Sequence, residues 1–283
     1  MSIVLSLLNV NLPPNSNPKL VQTYSGFPAK NLKGLYLAED GSVGQQHIGA
    51  AADSGPHGNH ASLRGSYLQP VVRDFGYELG AGGGLFVTPF PILGAEGKVT
   101  CVVAASLSGG MVTLASGQYV QHLGQASMAP SGPAASWAQT NMVGVNGITG
   151  VTNGQLTGQN VGVYRQANWP ITPPGSRIAL RNNPTLVVPH IVGFTYDAIS
   201  GEYIAKAYGG SRAALTGVAN LFTELSSQSG WAFGLSQLAG SQQLATANRF
   251  YGFATYHDFG EVLLDQAMAA MASRLASRGV SVP

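Results

Sequence analysis

Charge is scarce in this 283-residue chain: Asp, Glu, Lys and Arg together make up 9% of it, against the usual ~25%. The 14 Lys and Arg and 12 Asp and Glu leave a formal net charge of +2, and no stretch gathers the cations together. That argues against nucleic acid as a partner, because neutralising a phosphate backbone takes grouped Lys and Arg. A single cysteine, Cys101, rules out an internal disulfide. Its setting, KVTCVVAAS, reads as a core thiol and not as a nucleophile. No apolar run reaches the ~18 residues of a membrane-spanning helix. The opening MSIVLSLLNVNLPP has an apolar stretch but no basic segment before it and no small-x-small site after it. It reads as a strand or docking arm and not as an export signal.

What the chain has is glycine, 38 residues of it, and an apolar fraction of 45%. Short apolar segments recur between turn residues, the pattern of many short strands. Val99 to Ala105 is apolar at odd and even positions alike, so a central strand covered on both faces is expected. Met111–Ala115 resembles its hairpin partner across Ser108-Gly109-Gly110. Further strands are expected at Thr185–Val188, Ile191–Tyr196 and Tyr203–Tyr208, the last two joined by a hairpin at Asp197–Gly201. Residues 1–33 read as an N-terminal arm and 34–283 as the body. A Gly-, Ser-, Asn- and Gln-rich stretch at about 124–160 reads as a polar insertion in that body.

One helix is expected at about 259–278. Leu264, Met268, Met271 and Leu275 fall on one stripe at i, i+4, i+7 and i+11. Asp258 and Glu261 have the spacing of a capping box. Glu261 and Asp265 lie at the positive end of the helix dipole and Arg274 and Arg278 at the negative end, with Gly279 as the stop. The one close acid trio, Asp258, Glu261 and Asp265, is thereby explained by structure and not by catalysis.

The segment Asp53–Gly65, DSGPHGNHASLRG, holds two histidines, an acid and an arginine among glycines. It reads as a turn-rich connection, with Asp and Ser bonding backbone and Gly taking positive φ. Asp53, His57 and His60 are the candidates for a metal; no other cofactor is expected. His190 and His257 are expected to pack or hydrogen-bond at strand ends.

Asp53-Ser54-Gly55 followed by Gly58-Asn59-His60-Ala61-Ser62-Leu63 and Gly65 resembles the opening motif of laminin-G-like, concanavalin A-like domains. Pro189–Asp197 with Tyr203–Gly209, and Arg249–Ala254 with the helix after it, are similar to two later motifs of that family in the same order. The resemblance covers about residues 34–280. It implies an all-β, two-sheet antiparallel jelly-roll sandwich with a face and loop rim that bind carbohydrate or protein, and at whose rim calcium, favoured over zinc, can be held by carboxylate and carbonyl oxygens. Pro189 stands where the family has tryptophan. The E-x-D-x-x-E run of the glucanase branch is missing, so the chain is expected not to be an enzyme.

On this reading the protein is a non-catalytic recognition module of a phage virion, made in the host cytoplasm, that contacts host surface glycans and forms a homo-oligomer. The alternatives are a structural virion component binding other subunits through residues 1–33, and a polysaccharide-cleaving enzyme. Trp137, Tyr164, Arg165 and Trp169 lie in or beside the polar stretch, where core packing explains them least. They are the expected ligand-binding residues, stacking on sugar rings and ordering hydroxyls. Trp231 and Tyr251 are expected in the core.

Overall fold

A computed structural model describes residues 23–24, 26–47, 49–63, 70–79, 85–108, 119–128, 140–147, 151–152, 155–156, 159–164, 177–182, 188–217, 229–234 and 247–283. In chain order the strands are β1 Thr23–Tyr24, β2 Phe27–Pro28, β3 Leu32–Tyr36, β4 Ser62–Leu63, β5 Val71–Arg73, β6 Gly76–Leu79, β7 Leu85–Val87, β8 Lys98–Ser108, β9 Tyr119–Ser127 and β10 Thr140–Gly147. They continue as β11 Val151–Thr152, β12 Gln155–Leu156, β13 Gln159–Tyr164, β14 Arg177–Asn182, β15 His190–Asp197, β16 Glu202–Ala207, β17 Arg212–Leu215, β18 Ser229–Gly234 and β19 Ala247–Tyr256, before the helix α1 Glu261–Ser277. The larger of the two main sheets runs β17-β16-β15-β8-β19-β6-β5, with β3 also paired to β19; the second runs β14-β13-β10-β9-β18-β7-β4, and β1-β2 and β11-β12 form two-stranded pairs. The described residues thus form an all-β antiparallel sandwich closed by one helix. No helix among them is long and apolar enough to cross a membrane.

β8 is the central strand that its sequence predicts, and the two-sided apolar pattern has a two-sided cause. Val99, Cys101 and Val103 point into the core between the sheets, with Phe86, Trp231, Phe233, Phe194, Phe250 and Phe253 around them. Val102 and Ala104 point the other way, into a second core beneath α1. Each large side chain fully buried there contributes about 1.5–3 kcal/mol. Trp231 and Tyr251 are core residues as expected, 0% and 5% exposed. Burial pushes the Cys101 thiol well above its ordinary value, so it is inert.

The helix buries Leu264, Met268, Met271 and Leu275, the predicted stripe. At its C-terminus Val280 N–H donates to the Leu275 carbonyl (2.9 Å) and Gly279 N–H to that of Ala276 (3.0 Å), with Gly279 at φ 82°. That is a Schellman stop, and Val280 packs with Leu275 in the same core. Its start departs from expectation. Gly260 occupies the cap position and no side chain caps it. Asp258 is held elsewhere, accepting from Phe259 N–H (2.8 Å) and from Asn31 Nδ2 (2.9 Å). Glu261 is the first helical residue and pairs with Lys206 and Arg212 of the sheet below.

Those two cations, Arg212 first, lower the Glu261 carboxyl to about 2. A depressed folded-state value contributes stability above the unfolded value of ~4.3 and loses it as pH falls towards about 2. The pair is partly exposed, so the contribution is on the order of 1 kcal/mol after solvent screening. Glu261→Gln should flatten the dependence of Tm on pH between about 4.5 and 2; an unchanged slope would show that the pair contributes nothing.

The hairpin at Asp197–Gly201 forms as expected: Asp197 pairs with Glu202, and Asp197 Oδ1 accepts from Ile199 N–H (2.8 Å). Inside the stretch 1–33, Phe27 and Leu32 are fully buried beneath the helix, while residues 1–22 lie outside the described set. Within 124–160, the described residues of β9, β10 and β13 run side by side in the second sheet, and β11 and β12 pair with each other. The polar composition of the stretch concealed these strands because weak apolar alternation is all that period-2 reading can detect. The expected strand Met111–Ala115 and residues 185–187 of the expected strand Thr185–Val188 lie outside the described residues.

Candidate functional site

Between β3 and β4 the chain makes a loop closed by paired backbone hydrogen bonds between Ala51 and Ala61, 2.8 and 3.0 Å. β3 pairs with β19 on one side only; its other edge is covered by this loop, largely through side chains. Leu35 N–H donates to Asp53 Oδ1 (2.8 Å), and the Leu35 carbonyl accepts from Ser54 N–H (2.6 Å). Asn59 Nδ2 donates to the Lys33 carbonyl (2.8 Å). The loop thus stands in for a neighbouring strand, satisfying backbone groups that burial would leave unpaired.

Asp53 is the centre of this arrangement. Oδ1 also accepts from Gly55 N–H (2.8 Å) and Oδ2 from Asn59 N–H (2.9 Å), while the Asp53 N–H donates to His60 Nδ1 (3.0 Å). Tyr36 OH donates to the Asn59 carbonyl, and burial first, then the Asp53 charge, raises that phenol. The turn reading of DSGPHGNHASLRG is correct. The metal candidates Asp53, His57 and His60 do not converge: His60 serves the Asp53 backbone, and His57 points out to solvent. Among the described residues no three His, Cys, Asp or Glu side chains are placed to hold a metal ion.

The outer side of the loop forms one wall of an open cleft of about 370 Å³, within the ~300–1,000 Å³ usual for small-ligand sites. Pro56 and His57 face Asn31, Leu32 and Lys33 of the β2–β3 turn across it, with His257 at its base. Asn31 takes a left-handed conformation, φ 58°, which bends the turn over the cleft. Asn31 also ties the base together, since its carbonyl accepts from His257 N–H (3.0 Å). His257 Nε2 lies 2.9 Å from the Pro91 carbonyl and must donate to it. Burial foremost, with the Lys33 ammonium adding, lowers the His257 imidazole, which is neutral at pH 7. His190 is buried at the start of β15. Both histidines therefore behave as the sequence led one to expect.

Among the described residues Lys33 has no carboxylate partner. Among the Lys and Arg side chains described, only Lys30, three residues away on the same turn, shares that condition. The cleft therefore combines apolar walls at Ala29 and Pro56 with an uncommitted ammonium and an exposed imidazole. A second polar cluster, Asp40, His47 and Tyr77, is consumed internally: Tyr77 OH donates to Asp40, and His47 stacks on Tyr77 at 4.9 Å.

Of the expected ligand-binding residues, Trp137, Arg165 and Trp169 lie outside the described residues. Tyr164 ends β13, opposite Arg177 of β14. Lys33, Asn31 and Pro56 were not anticipated as site residues. Only the turn-forming sequence AKNLK, with Asn at its bend, could have drawn attention to them.

No protein-family model and no curated protein matches the sequence. Solved structures similar to the chain include a Trypanosoma rangeli sialidase in complex with 2,3-difluoro-KDN, at 13% identity and a TM-score of 0.48, covering 93% of this chain and 36% of that one. Another is botulinum neurotoxin type C, whose cell entry depends on two ganglioside molecules, at 10% identity and a TM-score of 0.46, covering 85% of this chain and 50% of that one. An alginate lyase from Pseudomonas aeruginosa matches at 10% identity and a TM-score of 0.38, covering 76% and 88%. The chain spans about a third of the length of the sialidases. The expectation that this chain is not an enzyme is corrected by this comparison, since the similar structures include sialidases and a lyase. A missing E-x-D-x-x-E run excludes one arrangement of acids and nothing wider. At these scores the likenesses assign no activity to this chain.

Proposed function

We propose that the protein binds a glycan and that the cleft between the Asp53–Ala61 loop and the β2–β3 turn seats one sugar unit. The observation that carries this is the lining of the cleft. Ala29 and Pro56 offer apolar surface to the faces of a pyranose, while Asn31, Lys33 and His57 offer hydrogen-bonding groups to its hydroxyls. The motif resemblance to laminin-G-like domains supports the same reading. So does the charge-poor, Gly-rich composition, which suits a phage virion protein contacting host surface glycans or its neighbouring subunits. Trp137, Tyr164, Arg165 and Trp169 remain candidates for further sugar contacts, and calcium at the loop rim remains a candidate cofactor.

Purified protein on a panel of immobilised bacterial surface polysaccharides, with and without EDTA, tests this. Retention of at least one glycan is expected, together with its loss in Ala29→Trp, which fills the cleft from its wall while Tm stays within about 2 °C. Retention on no glycan at all would overturn the proposal and favour a partner among other subunits. Release of shortened saccharides would show the bound chain to be a substrate.

A further inference from the structure

Resting on the glycan reading above, we infer that the cleft selects a sugar unit bearing an anionic group, a carboxylate or a sulfate ester, and that Lys33 is its specificity-determining residue. The first ground is that the ammonium is uncommitted. The other Lys and Arg side chains described, Lys30 apart, face a carboxylate within 4.0 Å. Lys33 is half-buried at the cleft wall without one. A cation in this position has given up part of its hydration and keeps its hydrogen-bonding capacity for something that enters.

The second ground is the fate of the acids nearby. Asp53 turns its carboxylate inward onto the N–H groups of Leu35, Gly55 and Asn59. Asp258 is occupied by Asn31 Nδ2 and Phe259 N–H. Neither serves as a counter-ion to Lys33, so the cleft mouth carries the Lys33 charge, with Lys30 beside it on the turn. In a chain with so few charges, two unpaired cations on one five-residue turn form a local field that a neutral sugar does not use. A charge-assisted hydrogen bond is about twice as strong as a neutral one. His257 contributes no charge, because it is neutral and donates to the Pro91 carbonyl. His57 and Asn31 supply hydrogen-bonding contacts to the ring hydroxyls.

The test measures affinity of the full chain for neutral dextran, polygalacturonate and dextran sulfate at about 50 and 500 mM NaCl, where the screening length falls from ~14 to ~4 Å. Wild type is compared with Lys33→Gln and with Arg274→Gln. The second variant makes the same charge change near the far end of α1, roughly 20 Å along its axis. Binding of an anionic polymer that weakens with salt, falls about tenfold in Lys33→Gln and is unaffected in Arg274→Gln supports the inference. Which polymer behaves so separates carboxylate from sulfate. Equal binding of dextran and both anionic polymers, insensitive to salt and to Lys33→Gln, overturns the inference while leaving the glycan reading intact. An equal loss in both variants also overturns it, since the attraction would then follow net charge and not the cleft. Binding of none of the three, with none on the wider panel, overturns the glycan reading itself.

Discussion

Replacing Asp53 by asparagine should destabilise the protein by about 3 kcal/mol, a fall in Tm of roughly 6–10 °C. The carboxylate accepts three backbone N–H groups, from Leu35, Gly55 and Asn59, at 2.8–2.9 Å. An amide has one accepting oxygen, and whichever way it is turned its NH₂ meets at least one N–H donor. Leu35 is fully buried in β3, so its N–H has no water to turn to. Hydrogen bonds to a charged group contribute more than neutral ones, and a buried donor left unpaired costs the full desolvation penalty. The loop also shapes the cleft wall at Pro56 and His57, so glycan retention should fall with stability. Thermal melts of wild type and Asp53→Asn decide it: a Tm within about 1 °C of wild type would mean that the carboxylate does not organise this edge.

Thr195→Val, nearly the same in shape, should cost about 2 kcal/mol by loosening the start of the helix. Thr195 lies on the face of β15 that meets α1, opposite Thr100 of β8. Thr100 Oγ1 donates to the Asp258 carbonyl (2.8 Å), which leaves its oxygen to accept from Thr195 Oγ1 at 2.7 Å. The Thr195 oxygen in turn accepts from Gly260 N–H (3.0 Å), the cap residue of α1. Both hydroxyls are fully buried. Valine would strand the Gly260 N–H and remove the Thr100 oxygen's donor in one step. Thr195→Ser retains the chain of hydrogen bonds and should lose less than 1 kcal/mol. Amide exchange at Gly260 and the melting temperatures of the two variants check this. Equal behaviour of the valine and serine variants would show that the relay contributes nothing to docking the helix.

The helix shows where sequence and tertiary structure divide. Its buried stripe and its glycine stop were legible because both depend on local spacing: side chains four residues apart share a face, and only glycine enters positive φ at low cost. Its start was misread because Asp258 and Glu261 satisfy the spacing of a capping box while their partners come from elsewhere. Asn31 lies 227 residues from Asp258, and Lys206 and Arg212 lie on strands that no local pattern connects to the helix. A threonine of the sheet that holds the N–H of Gly260 leaves no trace in the helix's own sequence.

The same division holds for the site. That DSGPHGNHASLRG is a turn follows from its Gly, Asn and Asp content alone, and the motif order indicates the sandwich. That Asp53 reaches β3, that His57 and His60 part company, and that Lys33 faces His57 across a cleft were decided by the pairing of β3 with β19, strands some 220 residues apart. Local composition determines which backbone conformations a segment can adopt at low cost. Which uncommitted side chains meet is determined by long-range strand pairing and packing, whose energy resides in contacts between residues that the sequence keeps far apart.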